Sequence, residues 1–207
     1  MYAVVEDNNI TQFINYPKSI VIGDVRYPAK IFTMWSQSEK EAIGIYEIIT
    51  DSTNYKDPAY YNNTNEQYTF ANGQVTKSWG TATAKRLNDE NAVDEDGNNL
   101  LDDDGNQVIN YGLKTEKKKI VKQQASGLLA PTDWYVVKST EVADYDVPAN
   151  VLSFRADVRT KSNEMETMID NCTTVDELKA LYEYTNTGTE QNPVMTRPLP
   201  EFPTEVI

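Results

Sequence analysis

The sequence predicts an α+β protein: an N-terminal antiparallel β module with one short helix, then a C-terminal α-helical region and an extended Pro-rich tail. Three observations carry this. Short apolar segments separated by tight-turn pairs fill the first third. Amphipathic stretches with helix-capping signals run from Leu113 to Tyr184. Four of the nine prolines fall in the last fifteen residues, which excludes helix and central strand there. The implied divisions are 1–87 for the β module, 88–111 for an acidic β-hairpin or linker, 112–184 for the helices and 185–207 for the tail.

"YAVVE" and "ITQFI" flank Asp7-Asn8-Asn9, and "SIVI" and "VRYP" flank Gly23-Asp24, so each pair reads as a hairpin. Ser36 and Glu39 have capping-box spacing, and Gly44 stands where that short helix would stop. "IYEII" resumes as a strand. Asn72-Gly73 separates the alternating segments Gln67–Phe70 and Gln74–Trp79, the clearest hairpin in the chain. From Leu113 a helix is expected with Ile120, Val121, Ala125 and Leu128 near one face, stopped by Pro131. A short helix follows Pro131. Pro148 opens another, in which Val151, Phe154, Val158, Met165 and Met168 follow heptad spacing with Lys161 in the gap. Thr174 and Glu177 form a second capping box before a Val175, Leu178, Leu181, Tyr182 stripe.

The chain has 207 residues, 32 acidic and 19 basic, for a net charge of −13. So acidic a surface is repelled by phosphate backbones, which argues against nucleic-acid binding. The single cysteine, Cys172, excludes an intrachain disulfide. The start "MYAVVEDNNI" has no basic segment followed by an apolar run, and no stretch approaches the roughly 18 apolar residues of a membrane span. A soluble chain, intracellular when made and without a membrane partner, is expected.

"DEDGNNLLDDDGNQVI", residues 94–109, is one eight-residue phrase said twice. A calcium loop of the EF-hand type needs Asp at its first position, Gly at its sixth and Glu at its twelfth. Gly97 as sixth puts Ala92 first and Asp103 twelfth; Gly105 as sixth puts Leu100 first and Tyr111 twelfth. Both frames fail. A cation among Asp94, Asp96, Asp102 and Asp104 stays as the alternative, but turn chemistry favours an exposed hairpin. The lysines that follow, Lys114 to Lys122, would then pair internally with acidic groups or meet a partner.

Chemistry is sparse. With no histidine there is no Ser-His-Asp or Cys-His pair and no imidazole ligand. Cys172 reads as a helix-end thiol without an activating base. None of the glycines forms a phosphate loop or dinucleotide fingerprint. Trp35, Trp79 and Trp134 read as core anchors, with a sugar site as the alternative. No catalytic, cofactor-binding or metal-binding residue is assigned, and a non-enzymatic protein is expected.

Two stretches carry a resemblance. "IGDVRYPAKIFTMWSQSEKEAIGIYEI" and "QQASGLLAPTDWYVVKSTEVADYDVPANVLSFRADVRTKSNEMET" together cover about a third of the chain. They resemble, in the same order, the "YPA…AIGI-E" and "LL-PTDWYV…VPA…YR--VR" segments of tail-fibre-assembly-like and tail-associated bacteriophage proteins of the marine phage type. Phe154-Arg155 stands where that group usually has Tyr-Arg. The resemblance implies a structural protein of the tail or tail-fibre attachment apparatus, found in the virion and, during assembly, in the host cytoplasm. Its partners would be other virion proteins (tail, fibre or adaptor), in a multi-copy assembly. A transient fibre-assembly chaperone and a host-glycan-binding module are the alternatives. Expected partner contacts are Lys114, Lys118 and Lys122 on the basic helix, Val151, Phe154, Val158 and Met165 on the heptad seam, and Phe202 and Ile207 in the tail. An internal core helix would show the same heptad seam.

Overall fold

A strand with three consecutive buried residues must be covered on both faces, and β1 (Tyr2–Glu6) is such a strand, with Ala3, Val4 and Val5 all buried. In the computed structural model, which describes residues 1–204, β1 lies inside a five-stranded sheet. The chain divides into two units between Ala84 and Lys85.

In the first unit, Asp7 and Asn8 take positive φ (51° and 64°) and turn β1 into its antiparallel neighbour β2 (Asn9–Ile14). Gly23 turns β3 (Ile20–Ile22) into β4 (Val25–Tyr27). Two helical turns follow instead of the single expected helix: α1 (Ile31–Met34) and α2 (Gln37–Glu41). Trp35 and Ser36 divide them, because the extended backbone of Trp35 ends the first while the Ser36 side chain caps the second. The reciprocal Ser36–Glu39 capping box is present. Gly44, at φ +82°, then turns the chain into β5 (Ile45–Thr50), and its carbonyl accepts from Val5 N–H at 2.8 Å.

A short ladder joins β6 (Tyr61–Asn62) to β9 (Thr83–Ala84). Between them, Asn72-Gly73 closes the hairpin of β7 (Gln67–Ala71) and β8 (Gln74–Ser78), both turn residues at positive φ. The main sheet runs β2-β1-β5-β8-β7. One pairing departs from the all-antiparallel expectation: β5 and β8 are parallel, with Ile48 opposite Val75. A parallel pair needs a long crossover, which the loop after Thr50 together with β7 provides. The outer strands approach one another, with the Phe13 ring on β2 4.5 Å from the Tyr68 ring on β7. Ala3, Val5 and Val75 fill one face of the sheet, and Val4, Ile14 and Ile45 pack with Ile20, Ile31 and Phe32 on the other.

In the second unit, β10 (Glu90–Asn91) and β11 (Ile109–Asn110) pair across the acidic repeat. The eight-residue period reappears in the hydrogen bonds. Leu100 N–H donates to Ala92 O (2.9 Å), Val108 N–H to Leu100 O (2.9 Å) and Ala92 N–H to Val108 O (2.8 Å), closing a ring of three. The bridges Val93–Asn99, Leu101–Gln107 and Ile109–Asn91 repeat with the same spacing, so the segment is pseudo-three-fold. Gln107 reaches its axis, where Nε2 lies 2.9, 3.2 and 2.8 Å from the carbonyl oxygens of Ala92, Leu100 and Val108.

The ring delivers the chain to α3 (Leu113–Leu129). Gly112 at its N-cap has no side chain to cap with, so residues upstream do it. Asp89 accepts from Gly112 N–H (2.8 Å) and Thr115 Oγ1 (2.9 Å), and the carbonyls of Arg86 and Leu87 accept from Leu113 and Lys114 N–H. A Cβ at Gly112 would stand 2.5 Å from the Asn88 backbone. Pro131 ends the helix in a 3₁₀ turn, Ala130–Thr132, which leads into α4 (Asp133–Glu141). α5 (Ala149–Asn171) runs back antiparallel along α3, so Lys114 reaches the Asp170 carbonyl while Arg155 reaches that of Leu129. α6 (Val175–Ala180) begins at the Thr174–Glu177 capping box.

After α6, β12 (Thr185–Asn186) pairs with β13 (Met195–Thr196). Leu199 is then buried to 2 % exposure, and its N–H bonds the Leu181 carbonyl. Phe202 packs against Ala125, Phe154 and Val158. The α+β class stands, with an antiparallel-rich sheet first and helices after.

Candidate functional site

The heptad stripe of α5 faces its own unit. Val151, Phe154, Val158 and Met165 are all buried, so they hold α5 in place and are unavailable to a partner. That corrects the contact role expected for them. Phe202 is partly buried, packing on Ala125, Phe154 and Val158; Ile207 lies outside the described residues. The physical reason is that α3 and the tail supply the apolar cover that a heptad seam would otherwise seek from another chain. Lys118 and Lys122 pair with Asp170 and Glu166 on α5, at 2.7 and 3.2 Å, and Lys114 donates to the Asp170 carbonyl. All three expected basic contacts are engaged within the unit.

The short helix expected after Pro131 is present as α4, but sequence reasoning missed its exposed apolar surface. Its first turn is fixed from below, because Arg155 is only 7 % exposed and Nη1 reaches Thr132 Oγ1 (2.5 Å), Leu129 O (3.0 Å) and Asp133 Oδ1 (2.8 Å). Thr132 itself is fully buried. Beyond that anchor, none of the nine α4 residues is buried. Trp134 and Val137 are each 52 % exposed, and Val136 and the following Val142 are exposed as well. The Trp134 and Tyr135 ring centroids lie 3.9 Å apart, and Lys138 Nζ stands 4.1 Å from the Tyr145 ring. Tryptophan was expected as a core anchor; Trp134 is the correction. Trp35 and Trp79 are partly covered, by Tyr27 and by Tyr55. The missed signal was "DWYVV", four apolar residues in a row where an amphipathic helix would interpose polar ones.

A nine-residue helix without buried side chains draws little packing energy from its own chain, and helices this short are marginal in water. In the sequence its apolar stretch is followed by the exposed Glu141, Asp144 and Asp146, against Lys138, so its C-terminal flank is acidic, while Asp133 before it is paired with Arg155. The chemistry of this surface is contact.

On α3, an open groove of about 780 Å³ runs past Thr115, Lys118, Lys119, Lys122 and Ser126, beginning beside Tyr111. A second hollow of about 420 Å³ continues it past Leu129 and Arg159.

The acidic repeat is a pair of turns. Asp94 Oδ1 accepts from Asn98 N–H (2.8 Å) and Asp96 N–H (3.0 Å), and Asp102 does the same with Asn106 and Asp104. These backbone N–H groups, those of Asn98 and Asn106 foremost, hold both carboxyls below the ordinary aspartate value. No group of three or more Cys, Asp or Glu placed to hold a metal occurs among the described residues. Cys172, at the C-terminus of α5, is buried; desolvation, with the nearby Glu177 charge second, pushes its thiol up. No helix among the described residues is long and apolar enough to cross a membrane. No protein family, curated protein or solved structure matches this chain.

Proposed function

We propose that the chain is a non-catalytic structural protein of a bacteriophage tail or tail-fibre attachment apparatus, acting through protein–protein contact in the virion. The observation that carries the contact reading is α4: an anchored helix on which Trp134 and Val137 are half exposed, Val136 is exposed as well, and no residue is buried. Its occupant is another virion protein that presents an apolar groove with a basic rim, since the C-terminal flank of α4 is acidic. The phage setting is supported by the two resembling stretches, the second of which contains α4 itself. Val136 and Val137 beside Trp134, in place of hydroxyl-binding side chains, favour a protein face over a glycan site. The Pro-rich tail is read as an extended strap that steadies the helices beneath α4.

Mass spectrometry of purified particles of the encoding phage tests this reading. The chain is expected at a fixed copy number per particle. Its presence in infected lysate and absence from particles would instead identify a transient assembly factor.

A further inference from the structure

We propose that the acidic turns of one copy dock on the α3 groove of a second copy, a head-to-tail contact between identical chains. In the groove, Thr115, Lys119, Lys122 and Ser126 recur at successive helical turns along one stripe. Lys119 has no ion-pair partner among the described residues, and the Lys122 side chain is 66 % exposed despite its bond to Glu166. Where the groove continues, Arg159 donates to the Arg155 carbonyl at 3.4 Å and has no ion-pair partner among the described residues.

The complementary half is the repeat. Glu95, Asp96, Asp103 and Asp104 are exposed and have no ion-pair partner among the described residues. Their turns are held by Gly97 and Gly105 at φ +83° and +82° and by the three-membered backbone ring, so the carboxylates are presented with little ordering left to lose. Among the described residues the turns make no ion pair with Lys119 of their own chain, which leaves that lysine to another molecule. At a net charge of −13 two copies repel over most of their surfaces. Glu116 also lines the groove and Asp133 the hollow beyond it, so Lys119, Arg159 and the exposed Lys122 side chain are what a carboxylate-bearing copy would meet favourably. A contact between two different faces leaves one groove and one pair of turns open at the ends, so it propagates into a ring or a filament. It does not depend on the particle reading and leaves α4 uncovered for another protein.

Sedimentation velocity of the full chain over a concentration series tests this, at about 20 mM and about 500 mM salt. The turn variant is Glu95→Gln, Asp96→Asn, Asp103→Asn and Asp104→Asn, which spares the turn-capping Asp94 and Asp102. The groove variant is Lys119→Glu with Arg159→Glu, which spares the lysines bonded to α5. Circular dichroism confirms the fold of each. Wild type is expected to associate at low salt and dissociate at high salt, and each variant alone to stay monomeric. An equimolar mixture should form a two-molecule species and stop there, because it contains one intact groove and one intact pair of turns. A wild type that stays monomeric at low salt overturns the proposal. So does association that survives either variant, or a mixture that fails to pair.

Discussion

Arg155 Nη1 donates to Thr132 Oγ1 at 2.5 Å in the interior of the helical unit, joining the middle of α5 to the turn from which α4 projects. Thr132 Oγ1 in turn donates to the Leu129 carbonyl, 2.7 Å away, so the hydroxyl serves both as acceptor and donor. Thr132→Val keeps the shape and removes both bonds. It is expected to lower the unfolding free energy by about 1–3 kcal/mol, the range for stranding a buried polar partner. Asp133→Asn, at a largely exposed carboxylate, is expected to change it by less than about 1 kcal/mol. Urea denaturation of the two variants checks the order.

Gln107 fills the axis of the pseudo-three-fold segment with a donor, and three carbonyl oxygens surround it. Gln107→Glu puts an acceptor there. The introduced carboxyl is disfavoured in its ionised form, so its folded-state pKa lies above the ordinary glutamate value and the variant weakens as pH rises through that range. Thermal melts should show the deficit against wild type at neutral pH and a smaller one near pH 4, with a neutral-pH cost of about 1–3 kcal/mol.

Asp94 and Asp102 behave in the opposite sense. Their folded-state values are depressed, so what their turn hydrogen bonds contribute is complete above the ordinary carboxylate range and is lost as pH falls through the depressed values. Side-chain carboxyl titration by carbon NMR should place both midpoints below that of aspartate in an unstructured peptide. Protection of the Asn98 and Asn106 amides against exchange, relative to the intrinsic rate at each pH, should fall as Asp94 and Asp102 protonate.

Leu199 is a core residue of the helical unit although it lies in the proline-rich segment. Leu199→Ala is expected to cost about 2–5 kcal/mol, the usual range for a leucine cavity. Ending the chain after residue 187 removes Leu199 and Phe202 together and should lower the melting temperature clearly. Val194→Ser, on the exposed arm of that segment, should leave it nearly unchanged. Calorimetry separates the three.

Local chemistry was legible wherever a turn or cap is decided by a few adjacent residues. Asp7-Asn8, Asn72-Gly73, Gly44 and both capping boxes stand where the sequence puts them, because positive φ and orphan N–H groups are satisfied within four or five positions. Long-range choices were not. Nothing in Ile45–Thr50 reveals a parallel neighbour, since β5 looks alike whichever way β8 runs. The repeat was legible as two turns, but not as a closed ring, whose third side pairs Ile109 with Asn91, a residue outside the repeated phrase. For the site, heptad spacing located the buried face of α5 and could not say whose residues bury it. Trp134 was misread because tryptophan usually marks a core, whereas here the Arg155–Thr132 anchor holds its helix outward.

The most direct measurement is incorporation of a Trp134→Ser, Val137→Ser variant into particles, by quantitative mass spectrometry after co-expression with wild type. Both side chains are half exposed, so the variant should fold and melt like wild type. If α4 seats the chain in the particle, the folded variant is left out while wild type enters at its fixed copy number. Equal incorporation of the two would contradict the account.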